Sequence, residues 1–337
     1  MNIAIIGATD NIGREICDIM ASEKFSIKNI IAIAPNESFE KTISFGKDRI
    51  KTKALSDYDF HMVDIAIFTT GEGVSEFFIK KAIDANCIVI NNTPIYCNTN
   101  NIPPLVYGVN NKLLNTRPNI SIISNPSCIA IQASIIADAL SVLGKITSIN
   151  ISTYQSTSGM GKKAMDELYS QTKAKFTFEQ VAPTIFPRTI AFNCIPFIGE
   201  TCDDGYTTEE YMIAKEINSI LEANIPIDIT CVHTPTFNSH GMTLNIRFKD
   251  SINIQAARIA LNEQEQIVVA QQNTEYITNI DCIGEDAIFV SRLRQNKQSS
   301  NTITMWAMTN NLRKGSALNI VQIVKCIIEK STNVQAT

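Results

Sequence analysis

Residues 2–13 read N-I-A-I-I-G-A-T-D-N-I-G, and this stretch decides the fold. Residues 2–7 are mostly apolar and end in glycine, as a short buried strand does. The turn at 8–11 leads into a helical pattern over 12–23. Glycines at such a turn let the backbone approach a pyrophosphate, which the helix N-terminus then holds. A glycine motif alone is weak, but here strand, turn and helix stand in the required order. Asp10 occupies the place where a G-x-x-G-x-x-G form has its middle glycine. It adds bulk and negative charge beside a dianion. Gly7, Thr9, Asp10, Asn11, Ile12 and Gly13 are therefore the candidate cofactor-binding residues. Glu37 lies 24 residues past Gly13. It is either the acid that bonds a ribose 2′-OH and repels a 2′-phosphate, or a solvated loop acid. If a dinucleotide binds, charge favours NAD over NADP.

Outward from this stretch the same alternation continues. Apolar strands are expected at 29–34, 64–69, 87–90 and 120–124, with helices at 74–85 and 129–143. Apolar strands alternating with helices mean a parallel sheet covered on both faces. After about residue 145 the pattern changes. Strands at 146–154, 227–233 and 242–248 are more polar, and the last alternates Met242, Leu244, Ile246 with Thr243, Asn245, Arg247. That fits an antiparallel sheet with one covered face. An amphipathic helix at 316–331 follows Gly315 and is expected to pack back on the first domain. The layout is a nucleotide-type α/β domain, 1–127 with 316–337, followed by an α+β domain, 128–315.

Bulk properties narrow the function. A chain of 337 residues has ample core for two domains. Its net charge is −4 and it has no basic block, which argues against a nucleic-acid partner. No segment approaches the ~20 apolar residues of a membrane span. No positive n-region precedes the first apolar stretch, so a cytoplasmic protein is expected. Nine cysteines lack C-x-x-C pairing and there are three histidines, so no metal site is expected.

Residues 123–132, I-S-N-P-S-C-I-A-I-Q, carry the chemistry. Asn125-Pro126 ends a strand, because the residue before proline is pushed to extended geometry. Cys128 then stands at a helix N-terminus, where unpaired N–H groups and the helix dipole favour a thiolate. It is a nucleophile or a buried structural cysteine; local context does not choose.

The chain resembles the aspartate-β-semialdehyde dehydrogenase family from Met1 to about Glu329. The resemblance rests on G-A-T-D-N-I-G at 7–13, S-N-P-S-C-I-A-I-Q at 124–132 and S-T-Y-Q-S-T-S-G-M-G at 152–161. A-F-N-C-I-P at 191–196, G-Y-T-T-E-E at 205–210, S-H at 239–240 and N-N-L-R-K-G-S-A at 310–317 extend it. It implies a Rossmann-type domain plus an α+β catalytic and dimerisation domain with a mainly antiparallel sheet, paired as homodimers. It also implies NADPH-dependent reduction of an acyl phosphate to an aldehyde. Carried over, Cys128 resembles the thioester-forming nucleophile, His240 the acid/base and Gln155 the residue that orients substrate. Ser158, Gly159 and Asn311 resemble cofactor contacts. Asn125, Glu209, His233 and Cys97 fall at substrate-binding positions.

The departures cluster on charge recognition. Cys97 stands at a phosphate-binding arginine position, Met212 at a lysine position and His233 at a carboxylate-binding arginine position. Glu37 aligns with the arginine that reads the NADP 2′-phosphate. Each lost charge-assisted hydrogen bond is worth ~1.5–3 kcal/mol. The substitutions imply either a site retuned to a less anionic acyl substrate or a weakly active or inactive paralogue that acts by protein pairing. Arg188, Lys162 and Lys163 lie near family motifs and are read as replacement charge or, more simply, as solvated cations.

Overall fold

The computed structural model describes residues 1–23, 27–35, 41–56, 58–93, 102, 104–116, 120–272 and 274–335. Glu37 and Cys97 lie outside them. The chain divides into two compact units, Met1–Pro126 with Ser316–Thr337, and Ser127–Gly315.

The first unit opens with β1 (Asn2–Ile6) and α1 (Asn11–Ser22), then β2 (Asn29–Ala34). A hairpin of β3 (Thr42–Phe45) and β4 (Asp48–Lys51) and a short β5 (Lys53–Ala54) follow. Next come β6 (Ile65–Phe68), α2 (Glu72–Asp84), β7 (Ile88–Asn91), α3 (Leu113–Thr116) and β8 (Ile122–Ser124). The sheet order is β5-β2-β1-β6-β7-β8, parallel throughout. Side chains alternate across β1: Ile3 and Ile5 join Ile16, Ile19 and the C-terminal helix residues Ile320, Ile323 and Val324. Ala4 and Ile6 join Ala66, Phe68, Ile79 and Val89 on the other face. Both faces are dry, which is why these strands read as continuous apolar runs. The C-terminal helix, Leu318–Gln335, is thus part of this core. The chain order reverses between β1 and β6, so a switch point, where open α/β sheets bind ligands, lies at their C-terminal ends.

The second unit runs α4 (Cys128–Ser141), β9 (Ile146–Tyr154), α5 (Lys162–Thr177), α6 (Thr208–Ile220) and β10 (Ile227–Thr230). It continues with β11 (His240–Phe248), α7 (Ile254–Glu263), β12 (Ile267–Val269), β13 (Ile288–Asn296) and β14 (Ser299–Thr309). The sheet order is β10-β9-β11-β14-β13-β12. Its three central pairings are antiparallel and its two outer ones parallel, so the sheet is mixed. The strand expected over 227–233 stops at Thr230; beyond it His233 makes isolated bridges to Gln155 and Ile195. α4 packs on β11, α6 and α7, which explains its near-uniform burial.

Candidate active site

Register brings the site together. In the second unit Tyr154 pairs with Gly241 across β9 and β11, and His240 pairs with Thr309 across β11 and β14. The residues just past β9, at the start of β11 and just past β14 therefore share one end of the sheet. These are Gln155–Gly159, His240 and Asn310–Gly315. Gly315 then presses on the thiol of Cys128: a Cβ at 315 would come 2.9 Å from the Cys128 Cβ and closer still to Sγ.

Cys128 is the first residue of α4, with Ser127 as N-cap. Ser127 Oγ accepts from the Ala130 N–H, 3.3 Å, while its own N–H and Oγ–H donate to Glu216, 3.0 and 2.6 Å. A buried carboxylate therefore sits at this helix start. The expected thiolate is not the resting form. Cys128 keeps some accessible surface, yet burial of Sγ pushes the thiol up to about 12, opposed only by a hydrogen bond from Gln132 Nε2 at 3.2 Å.

His240 is almost completely buried. Its Nδ1 accepts from the Ser156 N–H and lies 3.1 Å from Ser156 Oγ. In the neutral ring the proton then resides on Nε2. That side of the ring faces Gly159, where an added Cβ would come 2.9 Å from Nε2. Burial drives the imidazole down to about 3; a bond to Ser239 opposes this and the neighbouring His233 adds to it. The ring is neutral at physiological pH.

The preceding residue, Ser239, is held at φ +71°, in the left-handed region. Its N–H donates to Asn311 Oδ1 at 2.9 Å and its Oγ–H to the Asn279 carbonyl at 2.8 Å. Asn311 also bonds Ser158 Oγ, which lies 3.1 Å from Ser156 Oγ. The side chains of Ser158 and Asn311, expected beside a cofactor, are thus turned into the loop that aims His240. Sequence reasoning missed Ser156 and Ser239, because their parts exist only after β9 and β11 pair.

Gln155 is buried; its Nε2 donates to Thr153 Oγ1 at 3.4 Å and its backbone brackets Val232 and Thr234. His233 packs edge-on to Phe186, with ring centres 5.0 Å apart. Its Nδ1 is buried without a hydrogen-bond partner, and burial lowers the ring to about 4. Where a guanidinium was expected in the resemblance, an uncharged ring stands. Glu209, partly buried in the first turn of α6, is raised to about 7 by burial and by Glu216 and Glu210. Glu210 closes a capping box with Thr207 and accepts from the Cys231 N–H at 2.9 Å. Met212 is half-buried on the same helix. Arg188 and Lys163 are exposed, and Lys162 is paired with Asp166 at 2.6 Å. None of the three is drawn into the site.

The remaining candidates lie in the first unit. Asn125 is buried; its amide donates to Asn92 at 2.7 Å and accepts from Asn319 at 2.7 Å. The nucleotide turn fits a dinucleotide. Gly7 has φ +94°, and a Cβ there would come 3.1 Å from Thr70 Cγ2 and closer to Thr69. A Cβ at Gly13 would come 2.8 Å from the Ala8 Cα, so helix and turn close only with glycine. Asp10 is the N-cap of α1 but makes no side-chain cap bond. Thr9 and Asn11 flank it, Ile12 is partly buried, and Arg14 Nε donates to the Thr9 carbonyl at 2.9 Å. Arg14 places a cation beside the turn that the motif alone did not reveal, and Thr69 and Thr70 complete the switch point. Among the described residues no His, Cys, Asp and Glu side chains group as a metal site.

Comparisons with known proteins bear on the family and the fold. Residues 2–116 match the family model "Semialdehyde dehydrogenase, NAD binding domain", and residues 138–314 match "Semialdehyde dehydrogenase, dimerisation domain". The aspartate-semialdehyde dehydrogenase of Rickettsia bellii is 42% identical, over 97% of this chain and 98% of that protein. That of Legionella pneumophila is 32% identical, over 97% of this chain and 95% of its own. The crystal structure of aspartate semialdehyde dehydrogenase II of Vibrio cholerae complexed with ASA superposes with a TM-score of 0.94, at 30% identity over 97% of this chain and 98% of that one.

Proposed function

Because the chain belongs to the semialdehyde dehydrogenase family and is an oxidoreductase of the aspartate-semialdehyde dehydrogenase type, we propose that Cys128 is its nucleophile and 4-aspartyl phosphate its acyl substrate. Residues 1–127 with 316–337 are then the nucleotide-binding domain, and 128–315 the catalytic and dimerisation domain. The observation that carries the reading is the register of β9, β11 and β14. It delivers Gln155, His240 and the 310–315 segment to one end of the sheet, with Gly315 against the Cys128 thiol.

Cys128 Sγ bonds to the acyl carbon as the C–O bond to phosphate breaks, and the thiol proton leaves with the departing phosphate oxygen, giving a thioester. The nicotinamide nucleotide, when bound, supplies the hydride for reduction. The C–S bond then breaks, the thiolate leaves and the aldehyde is released. In the opposite direction phosphate cleaves the thioester. His240, neutral and with its proton on Nε2, donates that N–H to the acyl oxygen as negative charge builds there. Gln155 orients the acyl group, and His233 and Glu209 face the rest of the substrate. Gly7, Thr9, Asp10, Asn11, Ile12 and Gly13 hold the pyrophosphate, assisted by Arg14. Ser158, Gly159 and Asn311 border the nicotinamide. Glu37 favours NAD, since its charge repels a 2′-phosphate.

One observation favours a second reading, a site retuned to a less anionic acyl group. His233 is uncharged and packed on Phe186, so it offers hydrogen bonds but no ion pair. A phosphate-dependent oxidation assay with aspartate semialdehyde and a panel of neutral aldehydes, run with NAD and NADP, separates the two. Turnover highest with aspartate semialdehyde supports the first, and highest with a neutral aldehyde the second. No turnover by demonstrably folded protein refutes both. We further propose a cytoplasmic homodimer. The dimerisation-domain match supports it, and no described helix is long and apolar enough to cross a membrane. Light scattering on the eluting protein tests the dimer.

A further inference from the structure

One turn beyond Cys128, on the same helix, stands a residue that packing does not explain. Gln132 is fully buried. Its Nε2 donates to Cys128 Sγ at 3.2 Å, while its Oε1 is buried with no hydrogen-bond partner. Ile129, Ala130, Ile131, Ala133, Ile135 and Ile136 surround it in sequence and are all buried. A methionine of similar volume would suit such a helix and would leave no orphaned carbonyl. A buried, half-satisfied amide is destabilising, and where one persists it needs a reason. Defects of this kind collect at functional sites, where stability is given up for chemistry.

We infer that Gln132 is a catalytic residue whose carboxamide solvates the Cys128 sulfur, donating Nε2–H to the thiolate both before it attacks and when it leaves the thioester. The two ends of the amide exchange places by a half-turn about its terminal torsion, which is broad. With Oε1 toward sulfur, the amide accepts from the neutral S–H. With Nε2 toward sulfur, it donates to S⁻. Gln132 itself neither gains nor loses a proton. Among the described residues no other side chain donates to Sγ, and Gly315 closes another side of it with backbone alone. A thiolate here therefore depends on this one amide. The same residue is separated from Gln155, which faces Thr153 and the 232–234 segment, so the two glutamines act on different atoms.

This inference rests on Cys128 being the nucleophile. The test uses full-length protein carrying Gln132→Met, Gln132→Glu or Cys128→Ser. Cys128 alkylation by iodoacetamide is followed by peptide-resolved mass spectrometry from pH 7 to 10, alongside kcat, KM and Tm. Gln132→Met removes the orphaned carbonyl, so Tm should hold or rise. Alkylation at fixed pH and kcat should both fall about ten- to a hundredfold, the worth of a charge-assisted hydrogen bond, with KM little changed. Gln132→Glu should lower alkylation further, because a carboxylate repels the thiolate. Wild-type alkylation and kcat in either folded variant overturn the role of Gln132. Activity retained by Cys128→Ser instead overturns the nucleophile, whatever Gln132 does.

Discussion

Replacing Gly315 by alanine adds one methyl group at the most crowded point of the site. The new Cβ would come 2.9 Å from the Cys128 Cβ and closer to Sγ, whereas ordinary contact begins near 3.4 Å. The Cys128 Cβ must therefore retreat by 0.5 Å (3.4 − 2.9), and Sγ by about twice as far. Cys128 is fixed by the Ser127 cap and by a helix packed on three other elements, so the side chain cannot follow without leaving Gln132 Nε2, now 3.2 Å away. A displacement of about 1 Å at reacting atoms costs on the order of a hundredfold in rate, or about 2.7 kcal/mol in the barrier. Overpacking adds a stability loss of about 1–3 kcal/mol. The assay is phosphate-dependent oxidation of aspartate semialdehyde, with Tm measured in parallel. Gly159→Ala makes the comparison sharper. Its Cβ would lie 2.9 Å from His240 Nε2, a smaller misfit, so its rate loss should be smaller. Near-wild-type kcat/KM in Gly315→Ala, or the reverse ranking of the two variants, refutes the reasoning.

Four further outcomes are expected. The Cys128 thiol, raised to about 12, is neutral at pH 7, so free-enzyme alkylation should be slower than that of a simple thiol and should rise about tenfold per pH unit up to pH 10; a flat profile refutes the buried-thiol description. Ser156→Ala removes the hydroxyl near His240 Nδ1 but leaves the backbone N–H, so kcat should fall about two- to tenfold at unchanged KM, with Thr restoring it. His233 and His240 are depressed to about 4 and 3 from 6.5, so the unfolded chain takes up their protons first. Stability is then full above pH 6.5 and declines as pH falls towards 4, by up to about 3 kcal/mol per ring, and His233→Phe should flatten part of that decline in urea titrations. Glu37→Arg should raise the NADP/NAD ratio of kcat/KM, and an unchanged ratio would remove the electrostatic argument for NAD.

The nucleotide unit is legible in the sequence because parallel strands buried on both faces leave unbroken apolar runs, such as 2–6 and 65–68. The β3–β4 hairpin is not legible: T-I-S-F-G-K-D-R-I-K is short and polar, and only Gly46 at φ +60° marks its turn. β13 and β14 escape for a similar reason, since Gln295–Ser300 reads as a loop while the two strands meet there in an irregular hairpin.

For the site, legibility follows chain distance. Cys128 announces itself through Asn125-Pro126 beside it, whereas Gly315 meets the thiol only after β14 returns the chain to α4. The thiolate argument shows why local reasoning stops short. A helix N-terminus stabilises an anion only while its N–H groups face that anion. Here the Ser127 N–H is taken by Glu216, 89 residues away, and that carboxylate, not the sulfur, meets the start of α4. One N–H that local sequence leaves open at the start of α4 therefore goes to a carboxylate and not to the sulfur. Among the described residues, the side chain that donates to the sulfur is Gln132. The resting thiol is accordingly neutral near pH 7, and a thiolate in the free protein forms only as pH rises towards its raised value.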